Sequence, residues 1–203
     1  MHFIQGEIYH IYNRGNQKQP IFYSKGNYLF FLEKVKKFIF PRCSILNWSL
    51  IPNHFHFLIK ATDISVMPVP KTVIPTQSLT EGIRLLLGSY TKGLNKQLNL
   101  RGNLFQQKTK AKCTSLVSDT SKVFTIKNYS TIAFHYIHQN PWKAGLVARI
   151  EDWEFSSFRD YCGLRNGTLC DKEVAYQELS IDKEKLYSDS YNTIEGFKVK
   201  LIF

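Results

Sequence analysis

Residues 43–60 read CSILNWSLIPNHFHFLIK and contain two runs of strand-forming residues joined by a short turn. Cys43–Ile51 is rich in apolar and β-branched residues, which are typical of a strand. Pro52-Asn53 is a tight-turn pair, and His54–Lys60 continues as a second run of strand-forming residues. The pattern therefore predicts a β-hairpin.

Two histidines share one face of the second strand of this hairpin. Side chains alternate across a strand, so His54 and His56 lie on the same side with Cα atoms about 6.6 Å apart. That spacing suits two imidazoles on one metal ion. It is equally compatible with two hydrogen-bonded histidines on a solvated sheet face, because the HxH pattern is short. The core face is predicted to carry Phe55, Phe57 and Ile59.

The elements around the hairpin predict an α+β fold. We expect a first strand at Glu7–Asn13 and, between turns and loops, four further elements. These are a helix from Tyr28 to Ile39 that stops at Pro41, a helix over Leu79–Leu98, a strand within Leu104–Val117, and a helix over Asn128–Asn140 that ends at Pro141. The order favours a ferredoxin-like or RRM-like antiparallel sheet with helices packed on one face.

Composition narrows the class of protein. The 203 residues include 27 Lys plus Arg against 16 Asp plus Glu, a net charge of +11, and 14% are aromatic. Residues 171–203 hold five lysines and seven acidic residues, which leaves the first 170 residues with a net charge of +13. A basic chain with many rings favours nucleic acid as a partner, although a merely soluble basic protein has the same composition.

Export and membrane insertion are not expected. No run of 18 apolar residues is present, so a membrane span is excluded, and the first residues lack the zones of a signal peptide. The four cysteines show no CxxC pairing and are read as reduced thiols of a cytoplasmic protein.

The third predicted helix carries a second candidate group. Tyr136 and Asn140 are four residues apart and therefore lie on one helix face. An amide oxygen there could complete a metal shell and hold the phenol over it. Tyr90, on the preceding helix, is the rival tyrosine. His10, on the first strand, is a third candidate metal ligand, although a packed strand residue is the favoured reading.

Five blocks of sequence, in order, resemble the HUH single-tyrosine transposases, and in particular the REP-associated tyrosine transposases and their relatives. The blocks are residues 9–16 (YHIYNRGN), 52–56 (PNHFH), 101–106 (RGNLFQ), 136–147 (YIHQNPWKAGLV) and 153–157 (WEFSS). The resemblance implies a transposase domain over residues 1–160. Residues 161–203 then form a polar tail with a short helix near Lys172–Leu179.

The resemblance also implies a mechanism. His54 and His56, with Asn140 as third ligand, would bind Mg²⁺ or Mn²⁺, and Tyr136 would cut and rejoin single-stranded hairpin DNA through a 5′-phosphotyrosine. Lys108 stands where the family has arginine. The residues expected to contact DNA are Arg14, Asn16, Lys92, Lys96, Arg101 and Lys108. The resemblance leaves a monomer and a homodimer both open.

Two other functions remain compatible with parts of the sequence. An RRM-like module that binds single-stranded nucleic acid without cutting it would explain charge, aromatic content and fold. It would not explain the combination of His54, His56, Tyr136 and Asn140. A relaxase or replication initiator of the HUH class would share the chemistry, but the NPWKAGLV block argues against it.

Overall fold

A computed structural model describes residues 1–70, 73–115 and 126–192. Its four strands form one antiparallel sheet in the order β2-β3-β1-β4. The strands are β1 (Ile8–Arg14), β2 (Cys43–Ile51), β3 (His54–Ala61) and β4 (Lys110–Cys113). The helices are α1 (Lys25–Phe38), α2 (Asp63–Val66), α3 (Ser78–Leu98), α4 (Ile126–Lys143), α5 (Phe158–Tyr161), α6 (Lys172–Leu179) and α7 (Leu186–Tyr191).

The predicted α+β class is confirmed, and β2 and β3 form the predicted hairpin. Ile51 pairs with His54 across the turn, and the ladder runs back to Cys43 opposite Ala61 with one irregularity after Ile45. The fourth strand is shorter than the stretch in which it was expected, at Lys110–Cys113. Residues 116 and 117 of that stretch lie outside the described part of the chain.

Helices α1 and α3 pack on the sheet face that carries the phenylalanines. Phe31 of α1 lies with its ring centroid 5.3 Å from that of Phe55 and 5.0 Å from that of Tyr90 on α3. All three side chains are buried. The apolar faces of the two helices, which repeat every 3.6 residues, thus pack on the apolar face of β3, which repeats every two residues. They form one core, as predicted.

Helix α4 differs from the prediction because it covers the opposite face of the sheet. The Asn47 amide on β2 donates to the Phe134 carbonyl of α4 at 2.8 Å, and the Tyr136 ring stands edge-on to His56. The expectation that helices occupy one face alone was therefore wrong for α4. The physical reason is that the histidine face of β3 also carries side chains that are buried. Leu58, on the histidine side, is fully buried and needs a covering element.

Helix α4 also continues past Pro141, where it was expected to stop. Proline removes one backbone donor, but its fixed φ is compatible with a helix. The helix ends at Lys143. Gly145, two residues later, has φ +70°, and two bonds of the Schellman type close the last turn. Gly145 N–H donates to the Trp142 carbonyl at 2.9 Å, and Leu146 N–H donates to the Pro141 carbonyl at 3.0 Å. Asn140 therefore lies inside the helix, and the helix sets its direction.

Residues 161–192 pack against the sheet and α4. The short helix predicted at Lys172–Leu179 is α6, and its Ala175 and Leu179 are buried in the same core. Helix α7 follows and contacts α4. Within the described ranges no helix is both long and apolar enough to cross a membrane.

Candidate active site

Strand pairing places side chains of β1 beside the two histidines of β3. Tyr12 lies opposite His56 and Arg14 opposite His54 in the antiparallel ladder. Directly opposed residues share a sheet face, and so do residues two apart on one strand. His10, Tyr12 and Arg14 therefore lie on the same face as the histidines, and this is the face that α4 covers.

Helix α4 brings Tyr136 and Asn140 onto the histidines. Asn140 is 7% exposed, and its amide is the centre of the cluster. Its Oδ1 lies 3.2 Å from Nε2 of His54, and its Nδ2 lies 3.4 Å from Nε2 of His56. The same Nδ2 donates to the Tyr136 hydroxyl at 3.1 Å. The four residues singled out in the sequence as one chemical group are thus within contact distance of one another.

The contacts of His54 determine which of its ring nitrogens carries the proton. Asn53 donates through Nδ2 to the Lys18 carbonyl, which turns its Oδ1 toward His54 at 2.7 Å from Nδ1. A carbonyl oxygen only accepts, so Nδ1 of His54 carries the proton. In the neutral ring, Nε2 then presents a lone pair to Oδ1 of Asn140, and two acceptors face each other.

Two facing acceptors are the arrangement that a cation satisfies. Donor atoms on neighbouring positions of an octahedral Mg²⁺ lie about 3 Å apart, because each is about 2.1 Å from the ion. The 3.2 Å between Nε2 of His54 and Oδ1 of Asn140 is of this size. Within the described ranges, no group of three His, Cys, Asp or Glu side chains is arranged so that it could hold a metal ion by itself. A metal at this site would therefore be held by His54, His56 and the amide of Asn140.

Burial keeps both imidazoles neutral and the phenol protonated. Burial lowers the pKa of His54 to about 4. Oδ1 of Asn140 opposes this shift because it would accept a hydrogen bond from the protonated ring, and the charge of Arg14 adds to the shift. Burial, reinforced by His10 and His54, lowers the pKa of His56 well below its usual value. Neutral imidazoles are the form that binds metals. Burial raises the pKa of Tyr136 to about 12, although the bond from Asn140 acts in the opposite direction.

A groove of about 510 Å³ opens beside the histidines. Four of its lining residues are cationic, and none of the described lining residues is acidic. The groove is lined by Tyr12, Asn13, Arg14, Lys18, Asn53, His54, His56, Gln106, Lys108 and Lys110. A concave basic surface that ends at a cluster of histidines suits an anionic chain.

The residues predicted to contact DNA fall into two groups. Arg14 and Lys108 line the groove, and Asn16 lies at the end of β1, where it donates to the Asn103 carbonyl at 2.7 Å. The others are exposed on α3 or just after it, and α3 lies on the opposite side of the sheet from α4. These are Lys92, Lys96 and Arg101.

The rival tyrosine is remote from the histidines. Tyr90 is fully buried on the phenylalanine face, and its hydroxyl donates to the Ile21 carbonyl at 2.5 Å. Sequence reasoning missed another tyrosine, Tyr12, whose ring centroid lies 5.8 Å from that of His56. It also missed Lys18 and Lys110 in the groove. Alternation along β1 could have identified Tyr12, had the pairing of β1 with β3 been known.

Comparisons with known proteins support the fold. No protein-family model matches the chain, and no curated protein matches it. Among solved structures, the chain is similar to one described as a REP-associated tyrosine transposase bound to a REP hairpin. The TM-score is 0.57 at 17% sequence identity, over 83% of this chain and 87% of that one. This likeness shows that the two share a fold, as the sequence resemblance implied.

Proposed function

We propose that this protein is a DNA nuclease and strand transferase that cuts and rejoins single-stranded DNA next to a hairpin through a 5′-phosphotyrosine. The observation that carries the proposal is the convergence of His54, His56 and Tyr136 on the amide of Asn140. The shared fold with a hairpin-bound transposase supports the class of substrate. All four side chains come from one chain, so the proposed chemistry needs only a monomer.

The metal we propose is Mg²⁺ or Mn²⁺, held by the two imidazoles and the amide oxygen of Asn140. When bound, such an ion would polarise the scissile phosphate and stabilise charge on the leaving 3′ oxygen. Two neutral imidazoles and one amide leave coordination positions for water and phosphate oxygens. Nitrogen ligands alone would also accept zinc, but phosphate chemistry and an oxygen ligand favour the harder ions.

Tyr136 is the proposed nucleophile. Its phenolic oxygen attacks phosphorus, the Tyr–O–P bond forms, and the bond from phosphorus to the 3′ oxygen breaks. The phenolic proton leaves to solvent, and the departing 3′ oxygen takes up a proton. A second 3′ hydroxyl can reverse these changes and rejoin strands without ATP. Since burial raises the pKa of Tyr136 to about 12, the hydrogen bond from Nδ2 of Asn140 is needed to stabilise the phenolate.

The groove is the proposed path of the unpaired strand. Arg14, Lys18, Lys108 and Lys110 would contact phosphates, which position the strand without reading its sequence. Asn16 lies at the same end of β1 as Arg14 and is proposed to contact the hairpin. This arrangement delivers a phosphate to the histidines from the side that α4 leaves open.

A non-catalytic RRM-like module is the alternative function. Such modules bind unpaired bases on an open sheet face with aromatic platforms. Here α1 and α3 cover one face of β3 and α4 covers the other, and β3 is buried along most of its length. The covered sheet favours the enzyme over this alternative.

The proposal is tested by trapping the covalent adduct. A labelled hairpin oligonucleotide with a single-stranded flank is incubated with Mn²⁺ and the protein, and the products are separated on a denaturing gel. We expect a protein–DNA adduct that peptide mapping assigns to Tyr136. Tyr136→Phe should abolish it, because no other oxygen stands at that place.

Two matched variants make this result specific. Tyr12→Phe removes the other phenol near His56, and Tyr90→Phe removes one on the far side of the sheet. Both should still form the adduct. An adduct that persists in Tyr136→Phe, or that maps to Tyr12, would overturn the assignment. Hairpin binding without any cleavage by the wild type would instead favour the binding module.

A further inference from the structure

His10 forms a buried contact with His56 on the side away from Asn140. It is fully buried on β1, and its Nε2 lies 2.9 Å from Nδ1 of His56. The two rings are stacked, with centroids 5.0 Å apart and planes 25° apart. The other nitrogen of His56, Nε2, faces the amide of Asn140. One ring of His56 thus connects His10 to the proposed metal site.

A hydrogen bond between two imidazoles contains one proton. Which of the two nitrogens carries that proton decides whether Nε2 of His56 can bind a metal. If Nε2 of His10 donates, Nδ1 of His56 is the acceptor, and neutral His56 must carry its proton on Nε2, where it blocks a metal. If Nε2 of His10 accepts, His56 is protonated on Nδ1, and its Nε2 lone pair is available. Nδ2 of Asn140 faces that Nε2, and a donor group there favours the second arrangement.

We propose that His10 is a positioning residue that accepts the Nδ1–H of His56 and holds this imidazole in the tautomer whose Nε2 can bind a divalent cation. The proposal rests on the proposed function, since it assumes the metal site. His10 then accepts the Nδ1–H of His56, just as Oδ1 of Asn53 accepts the Nδ1–H of His54. Metal-binding histidines generally have such a partner, which fixes both tautomer and ring orientation.

The geometry argues against His10 as a third ligand, the role raised for it by the sequence. Its Nε2 is directed at Nδ1 of His56 rather than at the amide of Asn140. The Tyr12 ring lies beside it with centroids 4.7 Å apart. His10 therefore acts on the metal through His56 and does not touch it.

The test measures two properties, the tautomer of His56 and the affinity of the protein for Mn²⁺. Long-range ¹H–¹⁵N spectra of the metal-free, ¹⁵N-labelled protein report which nitrogen of each histidine carries the proton. We expect His56 protonated on Nδ1. His10→Phe keeps a ring of similar size but removes the acceptor, so it should lose this signature. Mn²⁺ affinity, measured by electron paramagnetic resonance, should fall about 10–100-fold.

Two further variants separate positioning from folding. His10→Gln retains an acceptor oxygen and should recover most of the Mn²⁺ affinity. Asn27→Ala removes a buried side chain of α1, on the other face of the sheet, and should leave Mn²⁺ affinity unchanged. It controls for general loss of stability.

The outcomes distinguish failure of this inference from failure of the proposed function. Wild-type Mn²⁺ affinity in folded His10→Phe would overturn the role of His10. Wild-type affinity in His54→Ala and His56→Ala would overturn the metal site itself. If His10→Phe does not fold, the wild-type spectrum decides, because His56 protonated on Nε2 contradicts the proposal.

Discussion

Asn140 is the residue on which the candidate site depends most. Its short side chain contacts both imidazoles and the phenol, so one amide sets their spacing. Aspartate at this place would add a charge next to a phosphate, whereas the neutral amide offers an oxygen and a donor at once. The choice of amide therefore fits the proposed site, which would bind a cation and stabilise a phenolate without repelling DNA.

For single residues we further predict that His54 and His56 are needed for cleavage and not for DNA binding. His54→Ala and His56→Ala should abolish the covalent adduct while hairpin affinity stays within about threefold of wild type. Both imidazoles are uncharged at neutral pH, so they add nothing to phosphate attraction. Fluorescence anisotropy in EDTA measures the affinity, and Arg14→Ala serves as a variant in which it should fall. Loss of binding in the histidine variants would contradict this division of roles.

Helix α4 is the element that connects the site to the rest of the molecule. Its sheet side carries Tyr136 and Asn140. Its other side is hydrogen-bonded to the C-terminal segment: Gln139 Nε2 donates to the carbonyls of Ser190 and Asn192 at 2.9 and 2.8 Å. His135 contacts the Ser190 hydroxyl at 2.9 Å. The helix that carries Tyr136 is therefore held from both sides.

The C-terminus of α4 provides a prediction about stability. Gly145 has φ +70° with no atoms near the place of a Cβ, so Gly145→Ala costs backbone strain alone. We expect the free energy of unfolding to fall by about 1–2 kcal/mol, measured by urea denaturation.

Gly88 is the matched control for this substitution. It lies within α3, has open space around it and has no positive φ. Gly88→Ala should therefore stabilise the protein by about 0.5–1 kcal/mol. If both substitutions changed the free energy of unfolding equally, the left-handed conformation of Gly145 could not be the cause of the change.

At the scale of the whole molecule, net charge should govern affinity for DNA. The chain has a net charge of +11, and four cations line the groove. If each neutralises one phosphate of a single strand, the slope of log K against log salt is about −3. Lys108→Gln with Lys110→Gln should reduce this slope by about 1–2, as measured by salt titration of hairpin binding.

The same titration tests the lysines of α3. Lys92→Gln with Lys96→Gln should change the slope less, because α3 lies across the sheet from the groove. A larger change than that of the groove pair would place the main DNA contact on α3. A flat dependence in the wild type would count against nucleic acid as the partner.

Acid should destabilise the fold through its buried histidines. Burial lowers the pKa values of His54, His56, His135 and His138 below 6.5. As pH falls below 6.5, these histidines are protonated in the unfolded chain before they are protonated in the folded protein. The free energy of unfolding therefore decreases as pH falls. For each histidine whose pKa in the folded protein is near 4, the free energy of unfolding falls by about 2 kcal/mol between pH 7 and pH 5.

Urea denaturation at the two pH values checks this dependence. His138 is fully buried beside Ser157 and outside the candidate site. His138→Asn should reduce the loss of stability relative to wild type, because it removes a buried imidazole whose pKa lies well below 6.5. An unchanged pH dependence in this variant would contradict the assignment of the effect to buried imidazoles.

Local sequence patterns were enough to predict the hairpin, the main helices and which of their residues share a face. The β2–β3 hairpin follows from strand-forming runs and a Pro-Asn turn, and alternation puts His54 and His56 on one side. The i, i+4 spacing of Tyr136 and Asn140 places them on one helix face in any context. These features depend on periods of 2 and 3.6 residues, which neighbouring residues set by themselves.

Only the tertiary structure decided which of these faces meet. That α4 covers the histidine face, and that β1 inserts between β3 and β4, depends on how distant segments bury apolar surface together. Tyr12 and Lys110 join the site through this pairing, and so does His10, which the sequence raised only as a candidate metal ligand. The same packing buries the imidazoles and the phenol and thereby shifts their pKa values. Long-range burial has no period along the chain, so it could not be predicted from the sequence.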